Sequence, residues 1–231
     1  MLKHSSMSGV SSKSTFTIRS GASGRQTRKI KFGVIAVDYE RHVPRNGAKE
    51  GLLSVLRQTH GNYQVFLCHD GPKETPYEKE FDLKPFKGRI TTLQTDRRRA
   101  DWGHSSRDLA MRHAHRHSDC DYYIQFNVDN LFLPFAFEAI NHEINESKSG
   151  VVIFSVEHNK LKKGVGHPKK FSGVPPYKFN IDCMQLVAHR EIWNRYGFWY
   201  DRHEQSDGAI YQRMCAENDW TNIDDVLGVN R

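Results

Sequence analysis

Short, nearly continuous apolar runs alternate along this chain with segments whose apolar residues recur at helical spacing. The first run, Lys31-Phe-Gly-Val-Ile-Ala-Val37, has the character of a strand covered on both faces, as in a parallel sheet. Ala48, Leu52, Leu53 and Leu56 then fall on one helical face, and the polar stretch Gln58 to Asn62 separates them from a second buried strand, Val65 to Cys68. The alternation continues with a helix from Ser106 to His117, a strand from Tyr122 to Phe126 and a helix starting near Pro134. Val151 to Val156 predicts another strand. A loop of Gly164, Gly166, Pro168, Gly173, Pro175 and Pro176 follows, then a strand from Met184 to Ala188 and an amphipathic helix from Ser206 to Ala216. Strands alternating with helices predict an α/β fold: one mostly parallel central sheet with helices on both faces. Ligands of such sheets bind beyond the carboxyl ends of the strands, so the residues that follow each strand carry the functional question.

Composition sharpens this picture in three ways. With 231 residues, 37% hydrophobic and 26% charged, one globular domain is expected, and the longest apolar stretch, Leu131 to Phe137 around Pro134, is too short for a transmembrane segment. The four cysteines, Cys68, Cys120, Cys183 and Cys215, show neither Cys-x-x-Cys pairing nor metal-ligand spacing, which predicts reduced thiols and a cytoplasmic setting. The formal net charge is +7, but Lys3, Lys13, Arg19, Arg25, Arg28 and Lys29 lie in a Ser-rich segment without Asp or Glu. Residues 1–29 are therefore expected to form a disordered basic tail, and the body from 30 to 231 carries a net charge of only +1. No nucleic acid is expected as a partner of that near-neutral body.

Three acidic loops follow the first three predicted strands: Asp38-Tyr39-Glu40-Arg41, His69-Asp70-Gly71-Pro72 and Asn127-Val128-Asp129-Asn130. Neither a Gly-x-Gly-x-x-Gly turn after the first strand nor a P-loop is present, so a phosphate-bearing ligand needs another counter-charge. Asn127 and Asp129, two apart at a strand's end, present oxygen donors of the kind that hard cations such as Mg²⁺ or Mn²⁺ prefer.

With these residues in view, the chain resembles family 2 glycosyltransferases of the GT-A fold, whose Rossmann-like domain takes a sugar from a nucleotide-sugar donor. The resemblance rests on Phe32 to Tyr39, on Leu53-Ser-Val-Leu-Arg-Gln-Thr-His-Gly-Asn-Tyr-Gln-Val-Phe-Leu-Cys-His-Asp-Gly71 and on Tyr123 to Pro134, and spans about residues 31 to 231. It implies that residues 30–231 are a GT-A catalytic domain and that Val37, Asp38 and Tyr39 lie in the loop holding the nucleotide base. It further implies that Asp70 accepts a hydrogen bond from a uracil ring, favouring a UDP-type donor, and that Arg107 lies near the donor phosphates. Asp129 matches the last aspartate of the family's Asp-x-Asp metal motif, while Asn127 departs from it by placing an amide where the first carboxylate stands. Mn²⁺ or Mg²⁺ is the implied cofactor. Asp207, after Tyr196-Gly-Phe-Trp-Tyr-Asp201, takes the position of the base in an inverting transfer to an acceptor hydroxyl, the acceptor being a glycan, lipid or protein. Ser206 as N-cap puts Asp207 in the first helical turn, where the dipole is expected to favour its ionised form.

Each residue also has a plain reading. Asp207 alone suits any helix start, Asp129 any strand-end turn, and Asp70-Gly71-Pro72 any tight turn. His113 and His117 share a helical face at a helix end, which predicts solvated polar residues rather than zinc ligands. Arg97-Arg98-Arg99 precedes the helix carrying Arg107 and reads as a solvated loop ahead of the alternative, a phosphate contact. The basic loop around Lys160, Lys162, Lys163, Lys169 and Lys170 reads equally as a lid or as plain surface. Two function classes follow: a metal-assisted glycosyltransferase, and a non-catalytic nucleotide-sugar-binding module of the same fold, which Asn127 favours.

Overall fold

The computed structural model describes residues 28–38, 45–158, 169–199 and 206–231. Most of the basic tail, Tyr39 with the rest of the loop after the first strand, the loop at 159–168 and Asp201 lie outside the described residues. The strands are β1 (Phe32–Asp38), β2 (Tyr63–His69), β3 (Ile90–Gln94), β4 (Tyr122–Asn127), β5 (Leu131–Phe132), β6 (Val151–His158), β7 (Lys169–Phe171), β8 (Leu186–His189) and β9 (Trp220–Asn230). The helices are α1 (Arg45–Leu56), α2 (Tyr77–Glu80), α3 (His104–His117), α4 (Ala136–Ser147), α5 (Arg190–Arg195) and α6 (Ser206–Glu217).

One sheet holds them in the order β3-β2-β1-β4-β8-β6-β9-β5, with β7 on β6. The first four strands are parallel, β8 joins β4 and β6 antiparallel, and β9 runs parallel to β6. The fold is α/β with helices on both faces, as the sequence pattern predicts. Alternate residues of each apolar run explain why: Phe32, Val34 and Ala36 of β1 face a core with α1 and α4, while Ile35 faces a second core with α3, α5 and α6. A strand buried on both faces has no polar side to write into the sequence.

Two strands escape the apolar pattern. β3 is a partly exposed edge strand, Ile-Thr-Thr-Leu-Gln, and β9 exposes Asn222, Asp224 and Asp225 before Leu227 enters the core. β9 also slips register against β6 at Phe154–Ser155 and Ser155–Val156, so its side chains do not alternate regularly. Helix α3 begins at His104 rather than Ser106. The predicted strand at Met184 starts instead with a single 3₁₀ turn over Cys183–Gln185 before β8.

The Ser-x-x-x-Gln portion of the resemblance proves to be a strut between α1 and the elements after β4. Ser54 Oγ accepts from the Phe132 amide (3.0 Å), and buried Gln58 donates to the Leu133 carbonyl (2.8 Å) and accepts from the Phe137 amide (3.1 Å). Gly51 completes the contact, since a Cβ there would lie 1.9 Å from the Val128 carbonyl oxygen in the turn carrying Asp129. Gly51→Ala is expected to destabilise the protein by about 1–3 kcal/mol in urea unfolding, overpacking outweighing the better helix propensity of alanine.

Candidate active site

Parallel register delivers the strand ends to one edge. Asp38 lies beside His69 and Val37 beside Asn127, so the turns after β1, β2 and β4 leave the sheet together. At that edge a cavity of about 330 Å³ is lined by Arg107, Asn127, Asp129 and Asp207, and also by His104, Asp182 and Trp199. Four of the sequence-predicted residues thus meet around one space. Val37, Asp38 and Asp70 do not line it: Val37 is fully buried in β1, and the two carboxylates are engaged elsewhere.

Asp70 binds the loop that follows β3. Its carboxylate accepts from the amides of Arg99 (2.9 Å) and Ala100 (2.9 Å), and the next residue, Gly71, donates its amide to Thr95 Oγ1 (2.6 Å). Gly71 has φ +97° and the Arg98 amide would sit 2.9 Å from a Cβ there, so the turn requires glycine. Asp38 accepts from the Tyr77 hydroxyl (2.8 Å), which together with burial pushes that phenol well above its usual range. Arg99 pairs with Asp96 at 2.7 Å, leaving the arginine run a surface loop at that residue.

Arg107 occupies the first turn of α3 and is buried. It donates to the Trp102 carbonyl (2.8 Å) and to Asn127 Oδ1, and its guanidinium lies 5.1 Å from the Trp199 ring centroid. An arginine has only donors, so the amide oxygen of Asn127 must face it. With Asn in place of Asp, this contact is a hydrogen bond to a neutral oxygen rather than an ion pair, and the site carries one negative charge fewer. Asp129 lies half-exposed in the turn after β4 and lines the same cavity. Among the described residues no three His, Cys, Asp or Glu side chains converge as a metal cage; the His113 and His117 rings lie tilted by 40° with centroids 4.5 Å apart.

Asp207 stands in the first turn of α6, its Oδ1 accepting from the Gly208 amide at 2.8 Å. The dipole argument alone expects a lowered pKa; burial outweighs it, although the group stays largely ionised at neutral pH. Burial raises the pKa to about 6, the nearby Asp182 carboxylate adds to the rise, and the Gly208 amide and Arg107 only partly offset it. Asp182 escaped sequence reading, although Asp182-x-x-Gln185 is a capping-box signal before the 3₁₀ turn. Its carboxylate accepts from the Met184 amide (3.1 Å) and from Asn230 Nδ2. His104 was also unmarked. Trp199 Nε1 donates to its Nδ1 (2.9 Å), with the two rings nearly parallel and their centroids 5.9 Å apart. Asn130, buried beside the cavity, accepts from the Arg231 amide (3.2 Å), while its Nδ2 has no acceptor among the described residues.

No protein-family profile matches the sequence, and neither does any curated protein. Solved structures do match in fold. A crystal structure of S. aureus TarS 1-349 superposes with a TM-score of 0.66 at 12% identity, covering 87% of this chain and 60% of that one. The same protein in complex with UDP gives 0.65 at 13% identity, with coverage of 87% and 60%. The mannosyltransferase PcManGT from Pyrobaculum calidifontis, in complex with GDP-Man and Mn²⁺, gives 0.62 at 13% identity, covering 88% of this chain and 57% of that one. The chain thus spans 57–60% of the length of these structures. At such identities the likeness shows the fold, and that fold is the GT-A type found in glycosyltransferases.

The raised pKa of Asp207 has a sign that can be checked. Its folded value, about 6, exceeds the ordinary carboxylate value, so the native state binds more protons between the two and loses stability as pH rises through that window. Asp207→Asn removes this cost. The variant is expected to exceed the parent in stability by on the order of 1–2 kcal/mol at about pH 8, with the gap closing by about pH 4, read by urea unfolding at both values.

Proposed function

We propose that this protein is a glycosyltransferase: it moves a sugar from a nucleotide-diphosphate sugar, UDP-linked by preference, to an acceptor hydroxyl with inversion. The observation that carries the reading is the arrangement of groups around one cavity. Arg107 offers an anionic leaving group a cation, Asp129 offers a divalent ion a carboxylate, and Asp207 lines the same space with a pKa of about 6.

The Arg107 guanidinium favours a diphosphate, and the buried Asn130 amide nitrogen supplies a further donor beside the same cavity. The donor set suits a hard divalent cation shared with the substrate's phosphates: one carboxylate, Asp129, with the remaining positions left for phosphate and water. Such a cation, when bound, neutralises charge building on the departing diphosphate. Asp207 accepts the acceptor hydroxyl's proton as that oxygen bonds to the anomeric carbon and the carbon–phosphate-oxygen bond breaks, its electrons going to the nucleoside diphosphate. A base with a pKa near 6 is ionised at neutral pH yet basic enough to assist. Residues 30–231 form the catalytic domain in this reading, and Val37, Asp38 and Asp70 build the edge against which the base docks, Asp70 acting through the Thr95–Ala100 loop that it holds.

The commitment of Asn127 to Arg107 favours a second reading, a module that binds a nucleotide-sugar without turnover. A screen of UDP- and GDP-sugars with Mn²⁺, scoring binding and donor consumption separately, distinguishes the two. Under the enzyme reading, Asp207→Asn abolishes transfer with nucleotide-sugar affinity retained, whereas Asp129→Ala weakens Mn²⁺-dependent nucleotide binding itself. Wild-type turnover by Asp207→Asn would disprove the base assignment. Asp182→Asn, which removes the neighbouring negative charge, is expected to move the acidic limb of the rate profile from about pH 6 to lower pH.

A further inference from the structure

Five large hydrophobic side chains are exposed among the described residues, and two of them, Trp102 and Phe179, line the cavity. Phe179 is the extreme case: 77% of it is exposed, and its backbone has φ +68°, the left-handed region that a bulky residue avoids. A phenylalanine both solvated and strained contributes nothing to the core, and strain of this kind concentrates where a ligand is met.

The turn carrying it is built, not loose. The Asn180 amide donates to the Tyr177 carbonyl (3.0 Å), and Asn180 Nδ2 donates to the Pro175 carbonyl (2.7 Å). The turn rests on the helix that bears Asp207. A Cβ on Gly208 would lie 2.7 Å from Lys178 Cα and 3.3 Å from the Tyr177 carbonyl oxygen, so glycine there lets the turn seat directly on the first turn of α6. Phe179 is therefore fixed one packing contact away from the proposed base.

The surroundings decide what such a ring binds. Asp182, Asp207, Asn230 and Arg231 line the same cavity, and a lipid chain entering it would strip water from these groups without hydrogen-bonding them. A sugar ring suits both surfaces, presenting an apolar face of C–H groups to the aromatic side chain and hydroxyls to the carboxylates. We propose that the Tyr177–Asn180 turn is the acceptor platform and that the acceptor is a saccharide, stacked on Phe179 with one hydroxyl directed at Asp207. This deepens the glycosyltransferase reading and rests on it.

The test is saturation-transfer NMR on the 231-residue chain with Mg²⁺ and UDP or GDP. The probes are the methyl glycosides of glucose, galactose, mannose and N-acetylglucosamine, run beside octanol and a Ser/Thr-containing peptide. The expected result is contact with at least one glycoside, weakened about 3- to 10-fold by Phe179→Ala and retained by Phe179→Tyr, while nucleotide affinity stays within about 2-fold. Phe179→Gly separates a ligand role from a structural one: relaxing the left-handed backbone is expected to raise Tm by a few degrees while the glycoside contact is lost. Nucleotide binding without glycoside contact, contact with octanol or the peptide in its place, or undiminished contact in Phe179→Ala would each overturn the platform and leave the donor reading intact. Failure of every nucleotide to bind would remove the donor reading as well.

Discussion

The structure depends on where it puts one buried cation. Arg107 arises from α3, yet its partners come from the end of β4, from the turn before its own helix and from Trp199, which packs in the core beneath α5 and α6. A guanidinium stacked on an indole and removed from water gains about 2 kcal/mol from the ring, far less than the cost of burying a charge unless its hydrogen bonds are met. Those bonds fix the Asn127 amide, so the parallel half of the sheet and the half carrying Asp207 are registered on the same side chain. The positive charge also restrains the rise of the Asp207 pKa that burial and Asp182 produce. Fold and chemistry share this residue, which is why a conservative exchange to lysine, lacking the planar fork, would not reproduce it.

The legible part of the fold was the part with two buried faces. β1, β2, β4 and β6 announce themselves as apolar runs because both sides of each strand meet a core. β3 and β9 were silent for the opposite reason: an edge strand and a bulged strand bordered by solvent leave polar residues at positions that the apolar pattern would need. The site divided along a similar line. Asn127 and Asp129 were singled out as oxygen donors at a strand's end and Arg107 and Asp207 through the family resemblance, and these four line one cavity. Asp182, His104 and Phe179 could not be singled out, because what matters about them is proximity across long sequence separations and a backbone angle, and neither is written in spacing. The pKa of Asp207 shows the limit most clearly, since a local rule about helix dipoles expects it lowered and burial among residues remote in sequence raises it, without removing the charge at neutral pH.

The comparisons bear on this division. With identities of 12–13% the side chains of the matching structures are mostly different, yet the chain follows the same path over 87–88% of its length. Such persistence is what a sheet sandwiched between two helical layers allows: many apolar combinations fill the same volume, provided that small residues stay where backbone meets backbone. Gly51 against the β4–β5 turn and Gly71 against the β3 loop are two such places in this chain.

Gly208 is a third, and its effect reaches further. Glycine inside a helical turn ordinarily loosens it, but here the missing Cβ lets the Tyr177–Asn180 turn and the first turn of α6 meet backbone to backbone, which fixes the offset between a carboxylate and an aromatic face. On the proposed reading the offset between them is a ruler. A pyranose lying on the ring presents its hydroxyls at different heights and bearings, and only one of them reaches the carboxylate. The regiochemistry of the new linkage would then be set by the thickness of a glycine contact, independently of which sugar is delivered.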